Sequence, residues 1–358
     1  MTPAAYVTLN LDAVNHNLTV VKRYAPQAKV MAVIKANAYG HGLLRIASQL
    51  EGIDSFAVAR VDEGIRLRKA GMTQRIAIME GFTCAQELDD LIEYRLDPLI
   101  HSFGQLEIIE RCSTAAAIDI WLKIDTGMNR LGFSTAEFTE VYRRLATSPL
   151  IKQPIGFMTH LANADDRSCA MTLRQIHLFK QTVNGCPGPR SIANSAGILG
   201  WQASHADWVR PGIMLYGVSP FADSNGADFG LKPIMSLHSR LIAVKTVREG
   251  ETVGYGAAWV CEKPITMGIV AIGYGDGYPR QARPGTPVLI DGRRVPMIGR
   301  VSMDMITVDL SEMSDIQPGQ PVTLWGPGLP VEEVARWSDT IPYTLLCGIT
   351  QRVQIVEQ

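Results

Sequence analysis

From about residue 29 to residue 216, short apolar runs rich in β-branched residues alternate with amphipathic stretches, a pattern that predicts repeated strand and helix units around a parallel sheet. The runs are KVMAVIKA (29–36), SFAVAR (55–60), RIAIME (75–80), DPLIHS (97–102), AIDIWLKID (117–125), QPIGFMTHL (153–161), RSIANS (190–195) and ADWVRPGIMLYG (206–217). Eight runs at a mean spacing of about 25 residues predict an α/β fold, an eight-stranded (β/α)8 barrel assigned to residues 1–228. Ahead of the first run, LDAVNHNLTVVKRYA (11–25) has the spacing of an amphipathic helix, and YVTLN before it reads as a strand outside the barrel.

Past residue 229 the pattern changes. Runs such as IMSLHSRLIAVKTV, ITMGIVAIGYG, TPVLIDG, RRVPMIG, MITVDL and QPVTLWG are divided by Gly and Pro turns, with one short helix expected near PVEEVARWS. Residues 229–358 are therefore expected to form a mainly β C-terminal domain, joined to the barrel within PFADSNGADFGL (220–231). No internal repeat or low-complexity linker interrupts the chain.

Composition narrows the partners. A formal net charge of −1 leaves no electrostatic footprint for nucleic acid or an anionic membrane, so a small molecule is the expected partner. Cys84, Cys112, Cys169, Cys186, Cys261 and Cys347 include no CxxC pair, so neither a metal cluster nor a disulfide framework is indicated and reduced thiols are expected. The N-terminal segment lacks the charged and apolar regions of a signal peptide, and no run approaches the roughly 20 apolar residues of a membrane span. A cytoplasmic location is expected.

Barrels of this type carry their chemistry at the C-terminal ends of the strands. Lys35 ends the first run, Lys123 and Asp125 the fifth, His160 the sixth, and Asn194 and Ser195 the seventh; Arg210 lies in the eighth, followed by Pro211 and Gly212. Any one of these has an ordinary structural explanation, a snorkelling lysine or a satisfied core histidine. Several converging on one barrel mouth point instead to a site.

The motif AVIKANAYGHG around Lys35 resembles the cofactor-lysine block of the alanine racemase family, bacterial enzymes of the barrel type that use pyridoxal phosphate. KIDTGMNRLGF (123–133), MTHLANAD (158–165), IANSAG (192–197), DWVRPGIMLYG (207–217), VGYGAAW (253–259), IGYGDGYPR (272–280), GRVSMDM (299–305) and IPYTLLCGIT (341–350) resemble further blocks of that family, in its order. The likeness spans nearly the whole chain.

The resemblance implies a homodimer that interconverts L-alanine and D-alanine by a two-base pyridoxal-phosphate mechanism and supplies D-alanine for peptidoglycan. It implies that Lys35 holds the cofactor covalently and serves as one base, which requires a neutral amine and hence a partly buried one. The cofactor's phosphate needs donors, and the loops after the seventh and eighth strands offer the Ser195 hydroxyl and the amides of Gly212 and Ile213; the family adds the phenols of Tyr39 and Tyr343. Asn194 is carried over with this cofactor-binding group.

Arg210 would face the pyridine nitrogen, where an arginine can only donate a hydrogen bond and leaves that nitrogen unprotonated. A weaker electron sink limits side reactions such as transamination. The second base is implied to be Tyr255, acting in the other subunit's site. A free phenol with a pKa of about 10 needs activation, and His160 between Tyr255 and Arg210 could tune it. Arg130 is implied to donate to the cofactor's phenolic oxygen and to help hold the substrate carboxylate, Met303 to contact that carboxylate, and Lys123 to be carbamylated and orient Arg130. Tyr274 and Asp304 match positions at the substrate entrance, with Asp276 and Arg280 nearby. Ser302 stands where some relatives have cysteine, Gly275 replaces a common alanine and Asn129 fills a variable position, which leaves the biosynthetic or catabolic branch open.

Three other readings share the barrel. A non-catalytic pyridoxal-phosphate carrier normally ends after it, a basic amino-acid decarboxylase would be expected to place an acidic residue where this chain has Arg210, and a broader-specificity racemase is usually exported.

Overall fold

The computed structural model describes residues 4–114 and 116–357. The chain divides into two compact units, one of Asn15–Ala38 and Gly42–Leu215, the other of Met1–Val14, Tyr39–His41 and Tyr216–Gln358. The first elements are strand β1 (Tyr6–Leu9) and the helix Asp12–Tyr24, which opens on an acidic residue and ends on Lys22 and Arg23, the order that complements its dipole.

The first unit holds a closed barrel of parallel strands: β2 (Lys29–Val33), β3 (Ser55–Val58), β4 (Arg75–Ile78), β5 (Asp97–Ile100), β6 (Trp121–Lys123), β7 (Gly156–Met158), β8 (Arg190–Ser191) and β9 (Trp208–Val209). Each lies inside one of the eight apolar runs. Neighbours in sequence pair in parallel, and β9 returns to β2 through Lys29 opposite Trp208 and Val30 opposite Val209. Helices follow most of the strands, including Val61–Lys69 after β3, Ala85–Glu93 after β4 and Phe138–Thr147 after β6.

Parallel strands covered on both faces should be apolar throughout, and all of β3, β5, β6 and β7 is buried. Glycine at 156 is a packing requirement. A Cβ there would lie 2.7 Å from Cε3 of Trp121, which is itself buried and stacks edge-on against Trp208 at 5.9 Å between centroids.

The second unit is a sheet of β10 (Met235–Val247), β13 (Ile265–Val270), β14 (Pro287–Ile290), β15 (Arg293–Ile298), β16 (Ile306–Asp309), β17 (Pro321–Trp325) and β18 (Gln354–Glu357) together with β1, plus a small hairpin of β11 (Thr252–Val253) and β12 (Trp259–Val260). Strand β10 pairs with β17 along its first half and with β13 along its second. Register shifts at Leu237/His238 and Leu241/Ala243 turn it between the two, as bulges do. The strand near the N-terminus, expected to lie outside the barrel, is found between β10 and β18. The expected short helix is Val331–Trp337, and a second one, Pro342–Cys347, follows it. Val247, Val253, Cys261, Ile265, Met267 and Ile298 form an apolar cluster in this unit. No helix among the described residues is long and apolar enough to cross a membrane.

Candidate active site

Strand β2 ends just before Lys35, which is half-buried, and the chain then makes an unusual turn. Ala36, Asn37, Ala38 and Tyr39 all have φ between 52° and 54°, a left-handed turn made without glycine. Each such residue costs about 1–2 kcal/mol relative to the right-handed form, so the turn must be held from outside. It is. Ala36 N donates to Glu63 Oε1 at 2.9 Å, Ala38 N to Ile34 O at 2.9 Å, and Leu43 N to Asn37 Oδ1 at 2.9 Å. Glu63 is buried, and its other oxygen accepts from Ala59 N at 2.9 Å and Arg60 N at 3.2 Å where the chain leaves β3.

Lys123 ends β6 and is buried. Burial, reinforced by the charges of Arg210 and Arg130, holds its ammonium well below the usual lysine range against the opposing pull of Asp125. The loop that follows is built on Asp125, whose Oδ1 accepts from Gly127 N at 2.8 Å, Met128 N at 3.0 Å and Asn129 N at 3.1 Å. This turn, closed by Asp125 N donating to Phe133 O at 2.8 Å, presents Arg130 as an exposed side chain.

Arg210 follows β9 and is only 2% exposed. Its Nη1 donates to Ser191 Oγ at 2.6 Å, and its Nη2 to Thr159 O at 2.7 Å, Ile192 O at 3.1 Å and His160 Nδ1 at 3.4 Å. Among the described residues none accepts from Nε, so a rigidly held guanidinium keeps that donor available. Burial lowers this group to about 9, which leaves it cationic at neutral pH. Because an arginine only donates, His160 Nδ1 is the acceptor and the imidazole proton sits on Nε2. Burial, followed by the charges of Arg210, Lys123, Arg130 and Lys35, pushes the His160 imidazolium well below the usual histidine range, consistent with that neutral tautomer.

The loops after β8 and β9 meet at Ser195. Its hydroxyl accepts from Gly212 N at 2.9 Å and Met214 N at 3.4 Å, while Ile213 N, at the start of the 3-10 turn Ile213–Tyr216, has no acceptor among the described residues. Asn194 caps the helix Ser195–Gly200, accepting from Gly197 N at 2.9 Å, so its side chain shapes this corner.

In the second unit, Tyr39 packs on Tyr216 at 4.6 Å and Tyr343 at 5.7 Å between centroids, and burial drives the Tyr39 phenol strongly upward. Tyr274, Met303 and Asp304 are brought together because Tyr274 N donates to Ser302 O at 3.1 Å and Gly275 N to Met303 O at 2.8 Å. Arg352 joins Asp304 at 2.7 Å and Asp276 at 3.4 Å. Tyr255, on the 3-10 turn Tyr255–Ala257, is 68% exposed, and Met303 is 52% exposed.

Glu63, Asn37, Thr159, Ser191 and Tyr216 escaped the sequence reading. Glu63 carried one usable signal, an acidic residue in the first turn of a helix. Its contact with Ala36 depends on which strands the barrel makes neighbours.

A closed parallel barrel whose strand ends gather a buried lysine of lowered proton affinity, a buried arginine with a donor to spare, a histidine disfavoured as a cation and an amide unpaired among the described residues defines an enzyme handling a small anionic substrate or cofactor. The sequence signature of the alanine racemase N-terminal domain matches residues 9–220, and that of the C-terminal domain residues 234–357. The alanine racemase of Aeromonas hydrophila is 49% identical over 350 residues, covering 98% of each chain. The crystal structure of the biosynthetic alanine racemase from Pseudomonas aeruginosa superposes with a TM-score of 0.97 at 43% identity, over 100% of each chain. That of the Bartonella henselae alanine racemase with covalently bound pyridoxal phosphate does so with a TM-score of 0.90 at 28% identity, also over 100% of each. The chain belongs to the alanine racemase family.

Proposed function

We propose that this chain interconverts L-alanine and D-alanine, with pyridoxal phosphate as its cofactor. The observation that carries the reading is Arg210: a buried cation whose terminal nitrogens are anchored by Ser191, Thr159, Ile192 and His160, and whose Nε has no acceptor among the described residues and is left to donate. That donor set fits a pyridine nitrogen that must stay unprotonated. The phosphate end fits equally well, with Ile213 N unpaired among the described residues and the Ser195 hydroxyl and Gly212 amide beside it; Tyr39 and Tyr343 are assigned to the same phosphate by family resemblance.

When bound to Lys35, the cofactor supplies the electron withdrawal that makes the α proton of alanine removable. The chain's own groups do the rest. Lys35 Nζ moves the proton on one face, and Tyr255 of the partner subunit moves it on the other. Neutral His160, donating through Nε2, tunes that phenol, while Arg210 holds His160 by Nδ1. Arg130 holds the substrate carboxylate together with Met303 N of the partner, and a carbamate on Lys123 orients Arg130. The low proton affinity of the Lys123 amine supports this, since only a neutral amine adds carbon dioxide. Tyr274 and Asp304 line the substrate entrance.

The barrel unit, expected as 1–228 and observed as Asn15–Ala38 with Gly42–Leu215, supplies most of the cofactor-binding groups, and the β unit contributes the second base, Tyr343 and the dimer contacts. The working form is a homodimer in the cytoplasm, and its D-alanine serves peptidoglycan synthesis. Purified protein should carry a visible chromophore that borohydride abolishes, label Lys35 on reduction, and convert L-alanine to the D form. A colourless protein without racemase activity would overturn the reading.

A further inference from the structure

We infer that Glu63 is a positioning residue for Lys35, a role that rests on the cofactor reading above and extends it to a side chain of the neighbouring strand–helix unit. The peptide immediately after Lys35 enters four consecutive left-handed residues, a conformation that Ala36, Asn37, Ala38 and Tyr39 do not favour by themselves. Ahead of the lysine Ile34 N donates to Ala57 O at 2.9 Å as the regular continuation of the strand, and beyond it Ala36 N donates to Glu63 Oε1 at 2.9 Å, which carries the tie to the same strand–helix unit past Lys35. Ala38 N returns to Ile34 O, and Asn37 receives Gly42 N and Leu43 N, so those bonds are internal to the segment.

Glu63 is equipped for the task because its two oxygens act in different places. Oε2 takes Ala59 N and Arg60 N at the start of the helix Val61–Lys69, the ordinary duty of a glutamate in a first helical turn. Oε1 leaves that helix and takes Ala36 N. A carboxylate accepts on both oxygens, whereas a carboxamide accepts on one and carries donors on the other. Glu63→Gln therefore keeps size and burial yet must give up either the cap or the tether, facing an N–H with an NH2 group. With the tether gone the left-handed turn relaxes and the direction of the Lys35 side chain is no longer set, which affects covalent capture and proton transfer more than substrate binding.

The test compares wild type, Glu63→Gln and Glu63→Asp, with Glu87→Gln as the control. Glu87 caps the next barrel helix through Thr83 N at 2.6 Å and Thr83 Oγ1 at 2.9 Å and has no bond to the Lys35 segment. Hydrogen–deuterium exchange of the cofactor-free proteins reads the tether directly. Glu63→Gln should speed exchange of the peptide containing Ala36 and Ala38 roughly tenfold, while the helix Phe138–Thr147 keeps wild-type protection. On adding pyridoxal phosphate, Glu63→Gln should form the borohydride-sensitive band roughly 10-fold or more slowly, shift the pH midpoint of that band, and lower kcat with little change in KM. Glu63→Asp, which keeps two acceptors on a shorter arm, should recover part of each effect, and Glu87→Gln should show none.

Unchanged exchange around Ala36 with an unchanged band and kcat in folded Glu63→Gln would overturn the proposal. So would effects equalled by Glu87→Gln, since cap loss alone would then account for them. If wild type itself forms no band with pyridoxal phosphate, the cofactor reading and this role for Glu63 both fall, whereas a normal wild-type band with indifferent variants removes Glu63 alone.

Discussion

At the scale of single residues the decisive property of Arg210 is what it cannot accept. A carboxylate at that position would accept a hydrogen bond from the ring N–H and keep the nitrogen protonated, and the ring would then hold electron density well. Arginine only donates, and here it is fixed by four hydrogen bonds with almost no solvent contact. Arg210→Glu should therefore lower racemisation by about 10²-fold or more and raise the pyruvate formed per racemisation event, because electrons retained on the cofactor side permit protonation away from the α carbon. Pyruvate and D-alanine measured in the same reaction decide it; a variant with wild-type partitioning would contradict the role given to Arg210.

Lys123 and His160 make a second argument at this scale. Both are disfavoured as cations by burial, and each is further disfavoured by the other cations around it. A carbamate on Lys123 would convert one cation of this crowded group into an anion. Incubation with labelled bicarbonate should give one carbonyl-type NMR resonance per chain that is absent from Lys123→Ala, and that variant should regain part of its lost activity in the presence of small carboxylates or chloride. Failure to see the resonance at neutral pH would count against the modification. His160 has the opposite bearing on pH. Its folded-state affinity for protons lies below that of the unfolded chain, so no acid limb in kcat/KM attributable to it should appear near the ordinary histidine value of about 6.5.

At the scale of elements, Asp97 on β5 shows that the end of the barrel away from Lys35 is built differently. Its carboxylate receives Arg75 Nε from β4 at 2.7 Å, yet burial outweighs that pairing and pushes the group up to about 6. The folded state thus binds the Asp97 proton more tightly than the unfolded chain. The stability this provides is complete below the ordinary value of 3.8 and is lost as pH rises through about 6. Asp97→Asn lacks that dependence. Relative to wild type it should gain on the order of 3 kcal/mol between about pH 4 and pH 7, measured from urea unfolding midpoints; a difference independent of pH would show that Arg75 fully offsets the burial.

The elements also show what the sequence disclosed and where it stopped. Most of the barrel strands were legible because a parallel strand covered on both faces reads as an apolar run, as in the two-residue β9, Trp208–Val209; β8, Arg190–Ser191, is polar and was legible only from its place in the run RSIANS. The left-handed turn was not legible. ANAY contains no glycine, so local preference gives no hint of positive φ, and one of the bonds that hold the turn comes from Glu63, 27 positions beyond Ala36. The helix Pro342–Cys347 was visible as a motif, IPYTLLCGIT, but its six residues are too few for periodicity to register. Lys35, Arg210 and the Ser195 corner announced themselves by ending strands. Tyr255 and Met303 did not, because an exposed tyrosine or methionine in a turn carries no local signal, and they were found only through the resemblance.

At the scale of the whole molecule, those two residues matter most. Tyr255, Met303 and Tyr274 stand 68%, 52% and 40% exposed on the β unit, an unfavourable position for large apolar side chains unless something covers them. A second copy of the chain, receiving Tyr255 and Met303 into its barrel mouth, would cover them and complete its own site at once. This arrangement has a kinetic consequence that a single-chain site lacks. Tyr255→Phe should lose about 10²- to 10⁴-fold in racemisation while Lys35 still exchanges the α proton of one alanine enantiomer, by family resemblance the D form, with solvent. Lys35→Ala should lose both. When the two inactive proteins are mixed and allowed to exchange subunits, each heterodimer contains one site with both lesions and one site with neither, so activity should return to as much as half of the wild-type value per heterodimer. If proven heterodimers stay inactive, Tyr255 acts in its own chain's site or not in catalysis at all, and the exposed face of the β unit needs a different partner.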